Sequence, residues 1–409
     1  MRLNIREFLA GFTRNFWIIV ITWVIFRVSY SLTFPYLSNY IIALGGDEAS
    51  IGLVRAVESF MLALIVIPGG YIADIYGRKK IVVRFTWLIV LATLLYVIAP
   101  AWWFIVLALA IEGLVRIYIP ALRALFADSI KPGYRGRANI LSEILPEVVA
   151  IPFPLIAGYV IATYGDYNPL GYRLLFLASF FISLLAAILR QFFLTETIRV
   201  KETSFFKALS EGFRRGYTDI VNTLPKLTRH VKLILVLEVV LALTVGLTEP
   251  YFIRYAFLNG YESKSWGALL TALSAAYVVC SLIIFPFIDR IPHKESLIGT
   301  AALSSVALFI FSLGGWNYVT IGYSLWWVIG GILWIAFARV AIDVTPRAVR
   351  GRVNALQMLI SSILHSVGNL IAAAIYVRNP QAVFMLASII LLMAIPVTMA
   401  IPKIEKIEE

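Results

Sequence analysis

Ionisable side chains inside long apolar runs are the residues of this sequence that could do chemistry. A charge within the hydrocarbon of a bilayer is costly, so such residues are candidates for ion or substrate pathways by default. The candidates are Arg27, Arg55, Glu58, Glu112, Arg116, Glu143, Glu147, Glu238 and Glu249. All except Glu238 and Glu249 fall in the first half of the chain. This imbalance predicts that the first half carries ion coupling and the second half supplies substrate contacts.

Depth along the runs separates these candidates into two groups. Those predicted near the bilayer centre are Arg27, Glu58, Glu112, Arg116 and Glu147. Those predicted closer to a membrane surface are Arg55, Glu143, Glu238 and Glu249. Glu238 is near the end of its run, where a long side chain can snorkel to the interface.

Helical spacing places several candidates side by side, because residues three or four apart share a helix face. The pairs with this spacing are Arg55 with Glu58, Glu112 with Arg116, and Glu143 with Glu147. Two carboxylates on one apolar face cannot both ionise cheaply. Glu143 and Glu147 are therefore the predicted proton carriers. The alternative is that these groups are structural ion pairs inside a polar bundle, and we favour it for Arg55 and Glu58.

The second half offers weaker candidates. His365 and Asn369 are four apart and share a face, and an imidazole can titrate near neutral pH. A lone histidine is more often a packing residue, so this alternative stays open. Aromatic side chains that could line a substrate pocket are Tyr251, Tyr277, Trp326, Trp327 and Trp334. Their alternative is lipid contact or core packing.

The elements that hold these residues are apolar runs long enough to cross a bilayer. Of 409 residues, 61% are hydrophobic and 14% are charged, against about a quarter charged in soluble domains. A crossing needs about 20 apolar residues, and runs of this length in lipid are helices. Twelve such runs are predicted, at 15–44, 49–73, 81–99, 101–130, 137–164, 170–194, 231–258, 264–288, 296–314, 318–344, 352–376 and 381–401. The predicted fold class is an all-α membrane protein with twelve transmembrane helices.

The charges outside these runs predict topology rather than nucleic-acid binding. The net charge is +12, and the basic residues lie in short connections on one side of the membrane. The positive-inside rule then places both termini in the cytoplasm of a cell-membrane protein. Residues Met1 to Arg14 are predicted to lie on the inner membrane surface. The polar stretch Thr195 to His230 is predicted to form an amphipathic helix on anionic headgroups, and a regulatory or partner-binding role is the alternative.

Several function classes are not expected. Cys280 is the single cysteine and the three histidines are scattered, so neither a disulfide framework nor a metal site is predicted. The sequence has no Gly-x-x-x-x-Gly-Lys-Ser/Thr loop, so nucleotide-driven transport is not expected either. The predicted partners are the lipid bilayer and a small-molecule substrate. Neither a nucleic acid nor a nucleotide is among them, and the chain is predicted to be a monomer.

An internal repeat divides the chain into two halves. Asp128 precedes Arg135-Gly136-Arg137, and Asp343 precedes Arg350-Gly351-Arg352 with the same spacing, at an offset of 215 residues. Each copy lies between the fourth and fifth run of its half. Repeats in the same orientation are a known transporter design. The predicted domains are 1–194, a linker at 195–230, and 231–409.

The connection between the second and third runs carries a motif. It contains Gly70, Asp74, Gly77, Arg78 and Lys79. This resembles the signature loop of the major facilitator superfamily, Gly-x-x-x-Asp-Arg-x-Gly-Arg-Lys, with an isoleucine in place of the first arginine. The second half keeps only Asp289-Arg290 of this loop. The paired Asp…Arg-Gly-Arg connections are typical of the same family.

The chemistry of this loop predicts a gate. A carboxylate at Asp74 can meet a helix N-terminus or Arg78, Gly77 allows a tight turn, and Gly70 allows close helix contact. Such contacts can join the two halves in one conformation and release them in the other. The predicted gate residues are Gly70, Asp74, Gly77, Arg78, Lys79, Asp128, Arg135, Arg137, Asp343, Arg350 and Arg352. The alternative is that the loop only fixes topology and packing.

The resemblance implies two pseudo-symmetric six-helix bundles that work by alternating access, as in prokaryotic, exporter-like members. In that fold Arg27 would meet Glu147, and Arg116 would meet Glu58. We predict a proton-coupled exporter of amphipathic compounds with no cofactor other than the coupling proton. One alternative is proton-coupled uptake of a sugar, organic acid or peptide, because Arg27 and Arg116 would suit an anion. Another is a membrane enzyme or receptor that transports nothing.

Overall fold

The computed structural model describes residues 11–199, 204–284, 292–346 and 349–401. Within these ranges eleven helices are long and apolar enough to cross a membrane, and a helix pair bent by 53° forms a twelfth crossing. The described chain has no β-sheet, apart from one isolated bridge between Phe12 and Ile130. The predicted all-α fold class with twelve crossings is therefore confirmed.

The crossings are numbered α1 to α12 in chain order. The first six are α1 (Arg14–Ala43), α2 (Glu48–Ile65 with Pro68–Tyr76), α3 (Arg78–Ile98), α4 (Trp103–Asp128), α5 (Arg135–Tyr164) and α6 (Pro169–Phe193). The last six are α7 (Arg229–Leu258), α8 (Ser263–Ile284), α9 (His293–Ser312), α10 (Trp316–Val344), α11 (Arg350–Tyr376) and α12 (Pro380–Met399). A linker helix, Phe205–Thr223, lies between the two sets.

The two ends of the bundle carry different side chains. The basic face holds the α2–α3, α4–α5 and α10–α11 connections and the linker helix. The aromatic face is opposite and carries Trp102, Trp103, Trp316 and Tyr318. These names are used below for the two sides of the molecule.

Prolines interrupt the helices at equivalent places in both halves. In α1 a 3₁₀ turn, Phe34–Tyr36, surrounds Pro35, and in α7 a 3₁₀ turn, Glu249–Tyr251, surrounds Pro250. A proline has no N–H for the helix ladder and clashes with the preceding turn, so the regular α-helix stops there. The two turns are 215 residues apart, the same offset as the Asp…Arg-Gly-Arg repeat. The repeat therefore includes the backbone breaks inside the membrane.

Small residues let the halves meet along α2 with α11 and α5 with α8. A Cβ added at Gly52 would lie 2.5 Å from the Cβ of Ala373. A Cβ at Gly158 would lie 2.3 Å from the carbonyl oxygen of Ser263. Helix backbones that approach this closely need glycine on one side. These contacts close the aromatic half of the interface.

The linker helix packs on the protein rather than on lipid. Gly212 and Gly216 face α2, where added Cβ atoms would lie 2.8 Å from side-chain atoms of Ile72 and Ile67. Leu209 and Phe213 pack into the apolar cluster of the first half. The prediction that this helix lies on headgroups is therefore wrong, because α2 covers its apolar face. Of the predicted surface segment at the N-terminus, residues 1–10 lie outside the described chain.

Candidate functional site

Glu58 is the centre of an ion-pair network between the helices. Its side chain is buried, with the whole residue 4% exposed. Arg55 Nη1 donates to Glu58 Oε2 at 2.6 Å, and Arg116 Nη2 donates to Glu58 Oε1 at 2.7 Å. The predicted contacts of Glu58 with both arginines are therefore present. Arg55 Nη2 also donates to Glu249 Oε1 at 2.9 Å, so the network joins α2 of the first half to α7 of the second.

Glu112 adds a third carboxylate to this network. It is one helical turn from Arg116, yet no ion pair within 4.0 Å joins the two among the described contacts. Its side chain hydrogen-bonds with Tyr96 of α3 instead. Two guanidinium groups, Arg55 and Arg116, therefore face three carboxylates. The network carries one more acid than base.

Arg27 and Glu147 form the predicted pair across α1 and α5. Arg27 Nε donates to Glu147 Oε1 at 2.7 Å, and Arg27 Nη2 donates to Glu147 Oε2 at 2.8 Å. Such two-pronged arginine–carboxylate contacts fix orientation as well as charge. Glu143 lies one turn nearer the basic face, is exposed, and has no ion pair in the described chain. The pair Arg27–Glu147 is half-buried and can be reached from two cavities.

Three cavities surround these charges. A central cavity of about 150 Å³ is lined by Arg27, Arg55, Glu249 and a set of aromatic side chains. A neighbouring cavity of about 190 Å³ contains Glu58 and Arg116, and it shares Arg55 and Glu249 with the first. The aromatic lining of the first is Tyr30, Phe34, Phe252, Trp266, Tyr323 and Trp327.

The third cavity opens between α5, α8 and α10 towards the basic face. Its volume is about 400 Å³, and its lining includes Glu143, Glu147, Tyr277 and Cys280. The remaining lining is largely aliphatic and includes Ile140, Ile144, Val278, Val328, Ile332 and Ile335. Because Arg27 lines the central cavity and Glu147 lines this one, their ion pair separates the two spaces.

The predicted aromatic residues have different positions. Trp327 lines the central cavity and Tyr277 the larger one. Tyr251 lines neither, since it is fully buried and donates to the carbonyl oxygen of Glu48. Trp326 packs against the core, and Trp334 is 39% exposed on the outside of α10.

Other second-half candidates also changed place. His365 and Asn369 line the 190 Å³ cavity together, as their spacing predicts. Glu249 lines the central cavity, so its prediction near a surface is wrong; the 3₁₀ turn at Pro250 sets it among the helices of both halves. Glu238 does not snorkel, because it is 4% exposed and accepts a hydrogen bond from Gln357 at 3.4 Å.

The signature loop forms a compact network in the first half. Arg78 donates to Asp74 at 3.0 Å and to Asp128 at 2.6 Å. Gly77 has φ +109°, a conformation that L side chains rarely adopt, and the backbone N–H of Lys79 donates to Glu196. All these partners belong to the first half or the start of the linker, so the loop does not join the halves in this conformation.

Gly70 does not have the predicted role. A Cβ added at Gly70 would meet no atom within 4 Å, so the prediction of close helix contact there is wrong. Its neighbour Gly69 has that role, since a Cβ there would lie 2.9 Å from the carbonyl oxygen of Ile117. The turn of α2 before Pro68 sets which glycine faces α4.

The second half has an equivalent contact that sequence reasoning missed. His293 Nδ1 lies 2.7 Å from Asp343 Oδ2. These residues stand 215 positions after Arg78 and Asp128, so a histidine occupies the place of the motif arginine. Applying the repeat offset to Arg78 would have found it. Asp289 and Arg290, the predicted remnant of the motif, lie outside the described residues.

The remaining predicted gate residues stay within their own halves. Arg350 donates to the carbonyl oxygens of Thr345 and Ile342 at the end of α10. Arg135 is exposed at the start of α5, and the guanidinium of Arg137 lies 5.7 Å from the ring centre of Tyr134. Arg352 lines a pocket of about 280 Å³ beside the linker helix.

The contacts that do join the halves are on the aromatic face. Tyr36 donates to the carbonyl oxygen of Pro154 at 2.6 Å and lies 3.3 Å from that of Ser263, the first residue of α8. Tyr251 donates to the carbonyl oxygen of Glu48, the first residue of α2, at 2.8 Å. Both tyrosines and both acceptor residues are 215 positions apart, so the contact is reciprocal.

A buried ion pair accompanies these hydrogen bonds. Arg254 Nη2 donates to Glu48 Oε1 at 2.8 Å, and the side chain of Arg254 is 7% exposed. Sequence reasoning missed both residues, because they stand at the ends of apolar runs where charges are ordinary. The repeated Pro-Tyr at Pro35-Tyr36 and Pro250-Tyr251 was the available signal. The structure thus closes the aromatic face and leaves the large cavity near the basic face.

Comparisons with known proteins agree with this architecture. The family model of the Major Facilitator Superfamily matches residues 18–261. An uncharacterized MFS-type transporter of Bacillus subtilis (strain 168), YqjV, is 35% identical over 116 residues, 27% of this chain and 28% of that protein. A Na(+), Li(+), K(+)/H(+) antiporter of Planococcus maritimus is 21% identical over 374 residues, 85% of each chain.

Solved structures show the same fold. A peptide transporter POT in complex with sulfate superposes with a TM-score of 0.72 over 97% of both chains, at 16% identity or lower. The nucleoside transporter NupG superposes with a TM-score of 0.70 over 96% of this chain and 100% of that one, at 13% identity. At such identities the likeness concerns the fold alone.

Proposed function

From the premise that the chain belongs to the Major Facilitator Superfamily and is a membrane transporter, we propose that it couples the efflux of small amphipathic compounds to protons. Transport works by alternating access of the two halves. The basic face and both termini are cytoplasmic in the cell membrane, by the positive-inside rule. The protein acts as a monomer, and the proton is its coupling ion. One observation carries the proposal: the ion pair Arg27–Glu147 separates the central cavity from the large one.

Glu147 can link proton binding to movement. A proton on this carboxylate removes its charge, which weakens the contact with Arg27 and frees α1 from α5. Glu143 lies on the same face of α5, lines the same cavity and has no ion pair in the described chain. A proton and a cationic substrate would therefore compete for this acidic pair. Such competition is what antiport requires.

The substrate side of the proposal is supported by the large cavity. A space of about 400 Å³ with aliphatic walls and two carboxylates suits a compound with an apolar body and a polar group. The Planococcus relative is named as a proton antiporter, which supports antiport. An alkali ion has less support here, because both oxygens of Glu58 are already held by arginines.

Anion uptake has weaker support in this geometry. Arg27 and Arg116 were the candidates for binding an anion. Both already donate to carboxylates, Arg27 with two nitrogens to Glu147 and Arg116 to Glu58. An anionic substrate would have to displace these contacts. The family assignment also argues against a membrane enzyme or receptor.

The test is Glu147→Gln in proteoliposomes. Counterflow with a panel of cationic and anionic amphipathic compounds first identifies a transported probe. Transport of that probe driven by a pH gradient should be lost in Glu147→Gln, while exchange without a gradient persists. Glu238→Gln is the matched control, because Glu238 is also a buried carboxylate but lines none of the three cavities. Unchanged gradient dependence in Glu147→Gln would refute the coupling role.

A further inference from the structure

We propose that the central cavity binds an organic cation, with Glu249 as its counter-ion and the aromatic side chains of the second half as its wall. The inference rests on the proposed function and deepens it, since it names the charge of the substrate and a binding residue. Glu249 belongs to α7, the first helix of the half that was predicted to supply substrate contacts.

Glu249 is the carboxylate with an available oxygen. Two carboxylates, Glu58 and Glu249, line the two central cavities in the described chain. Each oxygen of Glu58 already accepts from an arginine, and its side chain is 6% exposed. Glu249 uses Oε1 for Arg55, whereas Oε2 accepts no hydrogen bond from the described residues, and its side chain is 46% exposed. A cation that enters the cavity therefore finds Glu249 first.

The walls around Glu249 suit a cation with an apolar group. Cations are attracted to the faces of aromatic rings, most strongly when water is excluded. On the first-half side these faces are already used: the guanidinium carbons of Arg55 and Arg27 lie 4.6 Å from the ring of Phe34 and 5.5 Å from that of Tyr30. The second-half wall carries no arginine stacked on it in the described chain. It consists of Phe252, Trp266, Tyr323 and Trp327.

The charge balance points the same way. Arg55 and Arg116 face Glu58, Glu112 and Glu249, so one negative charge remains when all are ionised. Arg27 is neutralised separately by Glu147. A low-dielectric cavity with excess negative charge favours a cation and disfavours an anion.

The volume limits the size of the ligand. The cavities of about 150 and 190 Å³ meet at Arg55 and Glu249. An apolar cavity of about 150 Å³ accommodates one benzene ring. A single-ring organic ammonium is therefore the class that fits, with the ring on the aromatic wall and the ammonium beside Glu249.

Arg55 gives the inference a test with two opposite outcomes. The guanidinium of Arg55 holds Glu249 in the empty cavity, so it competes with the ligand. Glu249→Gln should weaken binding of benzyltrimethylammonium to the purified protein at least ten-fold. Arg55→Gln should tighten it several-fold, an effect that a merely structural role would not produce. Binding is measured by quenching of tryptophan fluorescence, without a membrane gradient.

Controls separate this inference from the proposed function. Glu238→Gln, in the same helix, should change binding less than two-fold, and benzenesulfonate should not compete. Thermal unfolding checks that each variant folds; if Glu249→Gln does not, Glu249→Asp and Arg55→Gln decide. Equal binding by wild type and Glu249→Gln, no binding to wild type, or equal competition by benzenesulfonate would overturn the cation site. A cation site without pH-driven transport would instead overturn the coupling proposal and leave this one intact.

Discussion

Removing the hydroxyls of Tyr36 and Tyr251 should shift the protein towards a conformation in which the aromatic face is open. Both hydroxyls donate across the interface between the halves, to carbonyl oxygens of the opposite half at 3.3 Å or less, and Tyr36 also donates to Pro154. These contacts exist in the conformation with the large cavity near the basic face. They can form only while the aromatic face is closed.

The size of the effect follows from the type of bond. A buried, neutral hydrogen bond contributes about 1 kcal/mol net. Its loss changes the ratio of the two conformations about five-fold. Tyr36 and Tyr251 lie in different halves and share no acceptor, so their effects should add in free energy. The double variant should therefore change the ratio about 25-fold.

The natural cysteine is a suitable reporter. Cys280 is the single cysteine of the chain and lines the large cavity. Its rate of modification by N-ethylmaleimide in membranes should fall in Tyr36→Phe and Tyr251→Phe and fall further in the double variant. Comparison at one pH keeps the thiolate fraction the same.

The matched controls are Tyr40→Phe and Tyr255→Phe. Tyr40 donates to the carbonyl oxygen of Tyr96 at 2.6 Å, and Tyr255 donates to that of Ser312 at 2.7 Å, each within its own half. They remove the same type of bond at positions that are also 215 residues apart. If all four variants slow the labelling equally, or none does, the reasoning about the aromatic face is refuted.

Three further predictions concern the connections. Asp47→Ala should lose about 1 kcal/mol of stability, because Asp47 caps α2 through Ser50. That hydrogen bonding lowers the pKa of Asp47, so its contribution is complete above pH 4 and is lost as the pH falls below that value; unfolding at pH 7 and pH 3 checks this. His293→Arg should retain the contact with Asp343 and normal transport of the counterflow probe, whereas His293→Ala should reduce transport; equal activity of both would contradict a gate role. Gly77→Ala should destabilise by about 1 kcal/mol because φ is +109°, and an unchanged melting temperature would disprove the strain.

The helices and their internal pairs were predictable from the sequence. Apolar length and the helical period are local properties, so twelve crossings and pairs such as Arg55 with Glu58 follow from the order of residues. The resemblance to the superfamily supplied two contacts between helices, Arg27 with Glu147 and Arg116 with Glu58.

Partners across the halves were not predictable in this way. Glu249 meets Arg55 and Arg254 meets Glu48 only because two separately folded bundles pack against each other. No spacing rule connects residues about 200 positions apart in different helices. Glu249 in particular was misplaced because depth counted along a run ignores the 3₁₀ turn at Pro250, which changes the direction of the helix.

The sequence alone therefore determined which residues cross the membrane, where the chain repeats and which charges are buried. The tertiary structure decided which of those charges are already neutralised and which remain available to a ligand. The physical reason is that burial depends on local composition, whereas the partner of a buried charge depends on helix packing in three dimensions.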